Sequence, residues 1–429
     1  MKSQNTNKNQ IINENQNMNK TRNINENISK GNINENQITN NLVTVEPITN
    51  KQIDIENKIE PNIPAPQDIY YFHLKGLYNI GSTCYMNSVL QCLLHVSELI
   101  YYFLNEYPKD SNLLKEKNND ISTHGNIPKA FYELIISVYQ EKKENINNIN
   151  SNTKISKNNE NNIIFDCVSP ENFQKIIGSY NHQFKNFEAN DSRNLMLYLM
   201  QSMHSELNYF SKNKAIEGIP NNYDRANSFN FFMNSFEIQN YSIISKLFYG
   251  TYEIITKCNT CKNCLYNYQK FEFISFGMID YKGKDFDIYN GFEDNEKIEK
   301  LTGDNQFYCN ICNKLNDAEV CSKIIYPPNK LLINLDFGKN KKFVPNKIKF
   351  GEEIDITKYV NFNFGINIKY RIIGVCSHFG DSGKNGHYVS FCRNRKNEKW
   401  YLFNDSICKE IDKTSIYYGN PYLLLYERS

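Results

Sequence analysis

The sequence predicts an α+β fold, in which helices come first along the chain and strands follow. Apolar residues recur at helical spacing in the first half of the chain, whereas short β-prone runs separated by polar turns follow from Ser242 to the end. Every aromatic residue and all 12 cysteines lie at Tyr70 or later. The part of the chain from there onward is long enough to bury a large core.

Residues 1–69 are rich in asparagine, contain no aromatic residue and end in a proline-containing stretch. Such a segment cannot bury enough apolar surface to offset the entropy of ordering it, so we predict a disordered N-terminal tail and linker. Two further polar tracts, near 141–162 and 211–230, are predicted to be solvated inserts.

Three segments have the apolar spacing of helices: one that follows Cys84, one at Phe131–Tyr139 and one that follows Asp191. In the last of them, Asp191 or Ser192 is expected near the helix start. Strands are predicted where β-prone residues cluster, as at Leu331–Leu335, Tyr370–Val375 and Tyr422–Tyr426.

Charge and composition exclude several classes of protein. With 49 basic against 47 acidic residues the net charge is +2, which gives no support to binding of nucleic acid or of an anionic membrane. The N-terminus has no hydrophobic signal region, and no apolar run approaches the roughly 18 residues that span a bilayer. We therefore expect a cytoplasmic or nuclear protein, or both, whose cysteines serve as free thiols, metal ligands or catalytic groups.

The densest motif places Cys84 where a glycine-bearing loop turns into a helix. Residues 76–88 read Gly-Leu-Tyr-Asn-Ile-Gly-Ser-Thr-Cys-Tyr-Met-Asn-Ser. A helix N-terminus offers unpaired N–H groups and partial positive charge, both of which stabilise a thiolate. Asn79 could donate a side-chain N–H to an oxyanion that forms near Cys84. On spacing alone, Cys84 is either a nucleophile or one more small buried side chain.

A cysteine nucleophile needs a base, and the base needs an acceptor that fixes its tautomer. Among the seven histidines, His387 is the best candidate, because a glycine-rich loop ending at Gly386 delivers it to the start of a strand. The strand that begins at Trp400 ends in Asn404 and Asp405, and either side chain can accept the imidazole N–H.

Two C-x-x-C pairs in the middle of the chain predict a metal site: Cys258 with Cys261, and Cys309 with Cys312. Each pair can contribute two thiolates to a tetrahedral ion, so the four complete a closed structural Cys₄ zinc site. Cys264 forms a further C-x-x-C with Cys261 and could replace Cys258 or stay free. The alternative is a set of thiols packed without metal.

The segment 76–88 resembles the cysteine box of the ubiquitin-specific protease (USP) family, which reads Gly-Leu, then Asn, Gly and Thr-Cys-Tyr-Met-Asn-Ser. Ser82 stands where an asparagine is common. The resemblance implies that Cys84 is the nucleophile and Asn79 the oxyanion donor. It also implies a papain-like cysteine protease with a helical thumb, a β-rich palm and zinc-bearing β fingers. We assign 70–429 to this catalytic domain, with the thumb at about 70–210, the fingers at about 240–330 and the palm at about 331–429.

The segments around His387 and Trp400 resemble the histidine box of the same family, a Gly-His-Tyr loop followed by Trp, Phe, Asn or Asp, and Asp-Ser. In that pattern the residue after Phe, here Asn404, is the third member of the triad. Asp405 then supports the oxyanion side or the histidine. The predicted catalytic residues are therefore Cys84, His387, Asn404, Asn79 and Asp405.

Residues 189–192, Ala-Asn-Asp-Ser, correspond to the Gln-Gln-Asp-Ala segment of the family, which opens a helix beside the cleft and contacts the ubiquitin tail. Asp191 is retained and can pair with an arginine of that tail, whereas both glutamines are lost. His378 matches the family's upstream histidine, which shapes the loop at the cleft. The predicted substrate-binding residues are Asp191, His378 and Gly386. The alternatives are a helix N-terminal carboxylate for Asp191 and a structural role for His378.

Together these features predict a thiol-dependent deubiquitinase that hydrolyses the isopeptide or peptide bond after the C-terminal Gly of ubiquitin. The expected cofactor is structural Zn²⁺, the expected partners are ubiquitin and ubiquitinated proteins, and the expected state is a monomer. Two alternatives stay open: a protease for a ubiquitin-like modifier, because the changed residues lie on the recognition helix, and a non-catalytic ubiquitin-binding adaptor.

Overall fold

A computed structural model of the chain describes residues 70–110, 126–139, 163–164, 166–186, 188–209, 220–278, 285–338, 347–362, 365–380 and 386–429. The tail predicted at 1–69 and the polar insert predicted near 141–162 lie outside the described residues. No helix in these ranges is long and apolar enough to cross a bilayer.

Most helices precede residue 250. They are α1 (Cys84–Leu94), α2 (Ser97–Tyr101), α3 (Asn126–Tyr139), α4 (Glu171–Tyr180), α5 (Ser192–Leu207), α6 (Arg225–Gln239), α7 (Ile243–Phe248) and α8 (Ile288–Asn295). A π-helical turn follows α2 at Tyr102–Glu106, and single 3₁₀ turns lie at His182–Phe184, Gly303–Asn305, Thr357–Tyr359 and Lys413–Tyr417.

The strands lie mainly in the second half of the chain. They are β1 (Gly76–Leu77), β2 (Ile163–Ile164), β3 (Cys167–Val168), β4 (Gly250–Cys258), β5 (Cys264–Phe271), β6 (Ile274–Gly277), β7 (Asp285–Asp287), β8 (Glu299–Leu301), β9 (Phe307–Cys309), β10 (Lys314–Asn316), β11 (Ala318–Tyr326), β12 (Lys330–Asp336), β13 (Lys347–Lys349), β14 (Glu353–Asp355), β15 (Lys369–Phe379), β16 (His387–Arg393), β17 (Trp400–Asn404), β18 (Ile407–Ile411) and β19 (Asn420–Arg428).

Two larger sheets organise these strands. A nine-stranded sheet has the order β2-β18-β17-β16-β15-β19-β12-β6, and β14 pairs with β15. A separate antiparallel sheet of four strands, β5-β4-β11-β8, carries the first C-x-x-C pair at the end of β4, and the small β9-β10 hairpin carries the second pair. Helices that precede a strand-rich half confirm the predicted α+β class.

The large sheet is a rigid platform because its central strands are buried. Apolar residues from β6, β12, β15, β16 and β19 pack into one buried cluster that includes Phe276, Ile333, Tyr370, Val389 and Leu424. Burial of this size is the main favourable contribution to folding. The strand that begins at His387 is therefore held firmly in place.

The predicted helix after Cys84 is confirmed as α1, which packs against β16. Its apolar spacing predicts one buried face, yet every residue from Cys84 to Leu94 is buried. The buried polar donors of Ser88 and Gln91 have partners: Ser88 donates to the Tyr85 carbonyl at 2.9 Å and Gln91 to the Lys75 carbonyl at 3.0 Å.

The predicted loop at 211–230 is wrong for its last six residues, because α6 begins at Arg225. Asp224 caps this helix by accepting hydrogen bonds from the backbone N–H groups of Ala226 (3.0 Å) and Asn227 (3.1 Å). Phe229 then packs against Tyr268 of β5, with the ring centroids 5.3 Å apart. The cap and this long-range contact outweigh the polar composition that suggested a loop.

The prediction of β structure from Ser242 onward also missed two helices. At α7, the Ser242 hydroxyl accepts from the backbone N–H of Ser245 while the Ser245 hydroxyl accepts from the backbone N–H of Ser242, which is a capping box. Asp287 and Asn290 form the same arrangement at α8.

Candidate active site

Cys84 is the first residue of α1 and only 8% exposed. The carbonyl of the preceding residue, Thr83, accepts the first helical hydrogen bonds, from the N–H groups of Met86 (2.9 Å) and Asn87 (3.0 Å). The thiol therefore lies at the positive end of the helix dipole.

Asn79 lies in the loop that leads into α1, with its side chain fixed at both ends. Its Oδ1 accepts hydrogen bonds from the N–H of Gly81 (3.3 Å) and from the N–H and hydroxyl of Thr83 (both 3.1 Å). Its Nδ2 donates to Oδ2 of Asp405 at 2.9 Å. That contact uses one of the two Nδ2 hydrogens, so the amide retains a hydrogen for an oxyanion near Cys84.

His387 is the first residue of β16 and contacts both other members of the predicted triad. Its Nε2 lies 2.7 Å from Oδ1 of Asn404. Its side chain also hydrogen-bonds to Cys84, and because Nε2 is engaged by Asn404, Nδ1 is the nitrogen left for the thiol. The structure thus brings together three residues from α1, β16 and β17.

These contacts change the proton affinity of the imidazole. The pKa of His387 rises from 6.5 to about 9, first because of the hydrogen bond to Cys84. Partial burial opposes the rise, while the hydrogen bond to Asn404 and the negative charge of Asp405 add to it. A raised pKa favours the imidazolium, which is the form that pairs with a thiolate.

Asp405 does not hydrogen-bond to the imidazole but lies close to it, with Oδ2 3.7 Å from Nε2 of His387. Its two oxygens accept from Asn79 (2.9 Å) and from Nδ2 of Asn87 (2.8 Å). Asn87 was not a predicted site residue, although its place three residues after Cys84, on the same side of α1, was a usable signal.

Asp191 caps α5: its Oδ1 accepts from the N–H of Arg193 at 2.8 Å. The Arg193 side chain donates to both oxygens of the same carboxylate and also to Oδ1 of Asp336 at the end of β12. In the structure Asp191 is therefore a helix N-terminal carboxylate, which was the alternative interpretation. Contact of Asp191 with a substrate stays a prediction. Arg193 and Asp336 were missed because their pairing depends on the packing of α5 against the sheet.

His378 and Gly386 lie against each other on β15 and at the start of β16. The ring of His378, 3% exposed, has Tyr388 and Tyr422 as neighbours at centroid distances of 4.6 and 5.6 Å. A Cβ at Gly386 would lie 2.2 Å from Cε1 of His378. Glycine is therefore required for this approach, and the histidine supports the backbone that leads to His387.

The four predicted metal-binding cysteines come together. Among the described residues, their sulfurs form a group whose members all lie within 4.8 Å of one another, with Cys258 and Cys312 at 3.9 Å and Cys261 and Cys309 at 3.6 Å. Zinc–sulfur bonds of about 2.3 Å place the sulfurs of a tetrahedral site about 3.8 Å apart, so the cluster fits zinc. Cys264, at the start of β5, is outside this group.

A model of the family described as "Ubiquitin carboxyl-terminal hydrolase" matches residues 75–426. The chain belongs to this family. The match contains Cys84, His387 and Asn404 as well as the cysteine cluster, and it confirms the resemblance to the ubiquitin-specific proteases.

Curated members of the ubiquitin carboxyl-terminal hydrolase family align with most of the chain. Ubiquitin carboxyl-terminal hydrolase 4 of Saccharomyces cerevisiae is 26% identical over 386 residues, covering 82% of this chain and 39% of the relative. Ubiquitin carboxyl-terminal hydrolase 5 of the same yeast is 27% identical, covering 82% and 44%. Ubiquitin carboxyl-terminal hydrolase Usp2 of Drosophila melanogaster is 23% identical, covering 83% and 35%. The chain therefore spans about two fifths of the length of these relatives.

Solved structures share the fold. A SAGA DUB module of Ubp8, Sgf11, Sus1 and Sgf73 bound to monoubiquitin matches with a TM-score of 0.59 and 20% identity, over 88% of this chain and 76% of that chain. The same module bound to ubiquitin aldehyde matches with a TM-score of 0.58, 20% identity and the same coverage. These matches show that this ubiquitin carboxyl-terminal hydrolase family member shares their fold.

Proposed function

We propose that the chain is a thiol-dependent deubiquitinase, which hydrolyses the isopeptide or peptide bond after the C-terminal Gly of ubiquitin. The contact of His387 with both Cys84 and Asn404 is the observation that carries this proposal. The family of the chain and the names of its relatives support ubiquitin as the modifier.

In the first half of the reaction, His387 takes the proton of Cys84, and the thiolate attacks the carbonyl carbon of the terminal Gly. The carbonyl oxygen becomes an oxyanion, which Nδ2 of Asn79 stabilises with its remaining hydrogen. The imidazolium then protonates the leaving amine, which departs, and the modifier stays bound to Cys84 as a thioester.

In the second half, a water molecule enters after the amine leaves, and His387 takes a proton from it. The resulting hydroxide attacks the thioester carbonyl, the bond from carbon to sulfur breaks, and the modifier leaves with a free carboxylic acid that ionises in solution. Cys84 departs as the thiolate beside the imidazolium of His387, which restores the starting pair. Asn404 accepts from Nε2 throughout, which keeps Nδ1 facing the thiol in both halves.

We further propose that the four-cysteine cluster holds a structural Zn²⁺. The ion would tie the end of β4 to the β9-β10 hairpin, and four thiolates leave no open position for water. Its contribution is to the folding of this part of the chain, and no step of the reaction passes through it.

Turnover of a fluorogenic ubiquitin amide tests the proposed reaction. Wild type is expected to release the fluorophore, whereas Cys84→Ala is expected to lose at least about 10³-fold in kcat/KM, because no other group can form the thioester. Cys321→Ala, which removes a half-buried cysteine of β11, is the matched control and should retain wild-type turnover. Equal turnover by Cys84→Ala would contradict the mechanism, and a folded wild type that binds ubiquitin without cleaving it would indicate an adaptor.

A ubiquitin-like modifier is the second candidate substrate. Ala189 and Asn190 replace the two glutamines of the recognition segment, and Asn190 is engaged by Gln183, whose Nε2 donates to Oδ1 of Asn190 at 3.0 Å. Comparison of kcat/KM for ubiquitin amide and for amides of ubiquitin-like proteins separates the two substrates.

We also propose that the protein acts as a monomer in the cytoplasm, the nucleus or both. The support for a monomer is that Cys84, His387 and Asn404 all come from one chain. Light scattering of the purified protein and fractionation of cells test these two points.

A further inference from the structure

The turn that carries Asn404 and Asp405 lies directly on the backbone of Gly76. A Cβ added at Gly76 would lie 2.5 Å from the carbonyl carbon of Ser406 and 2.6 Å from the carbonyl oxygen of Asp405. Both atoms belong to the main chain, so no change of side-chain rotamer can relieve the contact. Only glycine permits this approach.

A hydrogen bond also joins β1 to this turn: the N–H of Leu77 donates to the carbonyl of Asp405 at 2.8 Å. On the other side of β1, the N–H of Gly76 donates to the carbonyl of Asp166 at 2.6 Å. Strand β1 also pairs with β3 in parallel. Because β1 is anchored on its other side, it can act as a fixed support for the turn.

Asn87 joins this support to α1. The side chain is 2% exposed, and its Nδ2 lies within hydrogen-bond distance of the carbonyls of Leu77 (3.2 Å) and Tyr78 (3.3 Å) and of Oδ1 of Asp405 (2.8 Å). One buried amide therefore connects the helix of Cys84, the strand β1 and the carboxylate that holds Asn79.

We propose that Gly76 and Asn87 are positioning residues for the reaction: they fix the turn at residues 404–406 so that Asn404 meets His387 while Asp405 holds Asn79. Neither residue contacts the reacting atoms. The expected changes in kcat rest on the proposed function. The expected change in the pKa of His387 can be measured without ubiquitin.

Gly76→Ala moves the turn away from β1 and hence Asn404 and Asp405 away from His387. We expect kcat to fall by about 10²-fold, as for a misplacement of about 1 Å, while KM stays within about twofold of wild type. Because Asn404 and Asp405 both raise the pKa of His387, that pKa should move from about 9 toward its ordinary value. The alkaline limb of the kcat profile should shift to lower pH with it.

Gly178→Ala is the matched control for steric damage. A Cβ at Gly178 would lie 2.8 Å from Cα of Lys185 and 2.9 Å from the carbonyl oxygen of Phe184, again main-chain atoms, but on α4 and outside the site. This variant is expected to lower Tm while the alkaline limb stays at its wild-type position.

Asn87→Ala tests the same support from the helix side and is decisive if Gly76→Ala does not fold. It should lower kcat and the pKa of His387 in the same direction. The titration of His387 by NMR, assigned with His387→Gln, and the pH dependence of Cys84 alkylation by iodoacetamide supply the readouts without a ubiquitin substrate. If wild type does not cleave ubiquitin amide, the proposed function fails, yet these two readouts still decide the positioning role.

A folded Gly76→Ala or Asn87→Ala protein with the wild-type pKa of His387 would overturn the positioning role of the residue that was changed, whatever its kcat. A lower pKa in a folded variant, with Gly178→Ala unchanged, would support the role of that residue.

Discussion

Arg193 donates hydrogen bonds to both carboxylate oxygens of Asp191, from Nε to Oδ1 at 3.0 Å and from Nη2 to Oδ2 at 2.7 Å. Its Nη1 donates to Oδ1 of Asp336 at 2.5 Å. The carboxylate that the sequence assigns to an arginine of the substrate is therefore already paired with an arginine of the chain itself. Two carboxylates and one guanidinium leave this cluster with one net negative charge.

Arg193→Gln should strengthen the attraction of this cluster for a basic substrate tail. Removal of the guanidinium leaves two uncompensated carboxylates, so we expect KM for ubiquitin amide at low salt to fall by about two- to tenfold. The fall should diminish as NaCl is raised, while kcat changes little. Arg371→Gln is the control, because its partner Glu353 lies on β14. If the KM of Arg193→Gln depends on salt no more than the KM of wild type, Asp191 does not contact the substrate tail.

The imidazole of His387 should titrate at a pKa of about 9 in wild type and lower in Cys84→Ala, because the hydrogen bond to Cys84 is the largest cause of the rise. The folded pKa exceeds the ordinary 6.5, so the protonated ring stabilises the native state fully below about pH 6.5 and loses this contribution as the pH rises through about 9. NMR titration checks the pKa, and the alkaline limb of kcat should lie near the same value. An unchanged pKa in Cys84→Ala would contradict the contact between sulfur and ring.

Asn79→Ala and Asn404→Ala should differ in their pH profiles. Loss of an oxyanion donor typically lowers kcat by about 10²–10³-fold, and for Asn79 we expect this with a smaller shift of the alkaline limb than for Asn404, because Asn79 hydrogen-bonds to Asp405 and not to the imidazole. Loss of the Asn404 acceptor should lower kcat and also move the limb to lower pH, because its hydrogen bond raises the pKa of His387. Asn394→Ala, directly after the end of β16, should leave both quantities unchanged. Identical profiles for the two variants would contradict separate roles.

Zinc should be present at about one ion per chain and should be lost in Cys309→Ser, because a site with three thiolates binds it less tightly. Atomic emission measures the zinc, and thermal unfolding should show a lower Tm for the variant and for chelator-treated wild type. Cys321→Ser, on β11 and outside the sulfur cluster, should keep its zinc. A zinc-free wild type of unchanged stability would favour thiols packed without metal.

Buried histidines should make the fold sensitive to acid. Burial lowers the pKa of His95 and of His204 to about 4 and that of His73 well below 6.5. Each is neutral when folded but takes up a proton on unfolding below about pH 6.5, so stability falls as the pH drops from there toward 4. For His95 and His204 a shift of this size corresponds to roughly 3 kcal/mol each, which is lost in full only below about pH 4. Urea unfolding at pH 7 and pH 5 measures the loss.

His204→Gln should lose part of this dependence, because one proton fewer is taken up on unfolding. The variant should also lose some stability at pH 7, where Nδ1 of His204 lies 2.7 Å from the Ser242 hydroxyl. An identical pH dependence in variant and wild type would mean that His204 titrates normally in the folded state.

The local part of the architecture was predictable. The helix after Cys84, the helix after Asp191 and the strand from Trp400 follow from the spacing of apolar residues, which depends on neighbours within a few positions. The helix at Arg225 was missed, because its stability depends on the contact between Phe229 and Tyr268, about forty residues away along the chain.

The order of the amino acids specifies which groups can do chemistry here: a cysteine at a helix start, a histidine after a glycine-rich loop, and four cysteines in two pairs. Tertiary structure decided what those groups touch. Strand register and packing place Asp405 between Asn79 and Asn87, bring Asn404 within 2.7 Å of His387, and give Asp191 an arginine of its own chain. Hydrogen bonds act over about 3 Å. Sequence patterns indicate only which side chains share a face of a helix or strand. These pairings therefore form only when the sheet and the helices pack against each other.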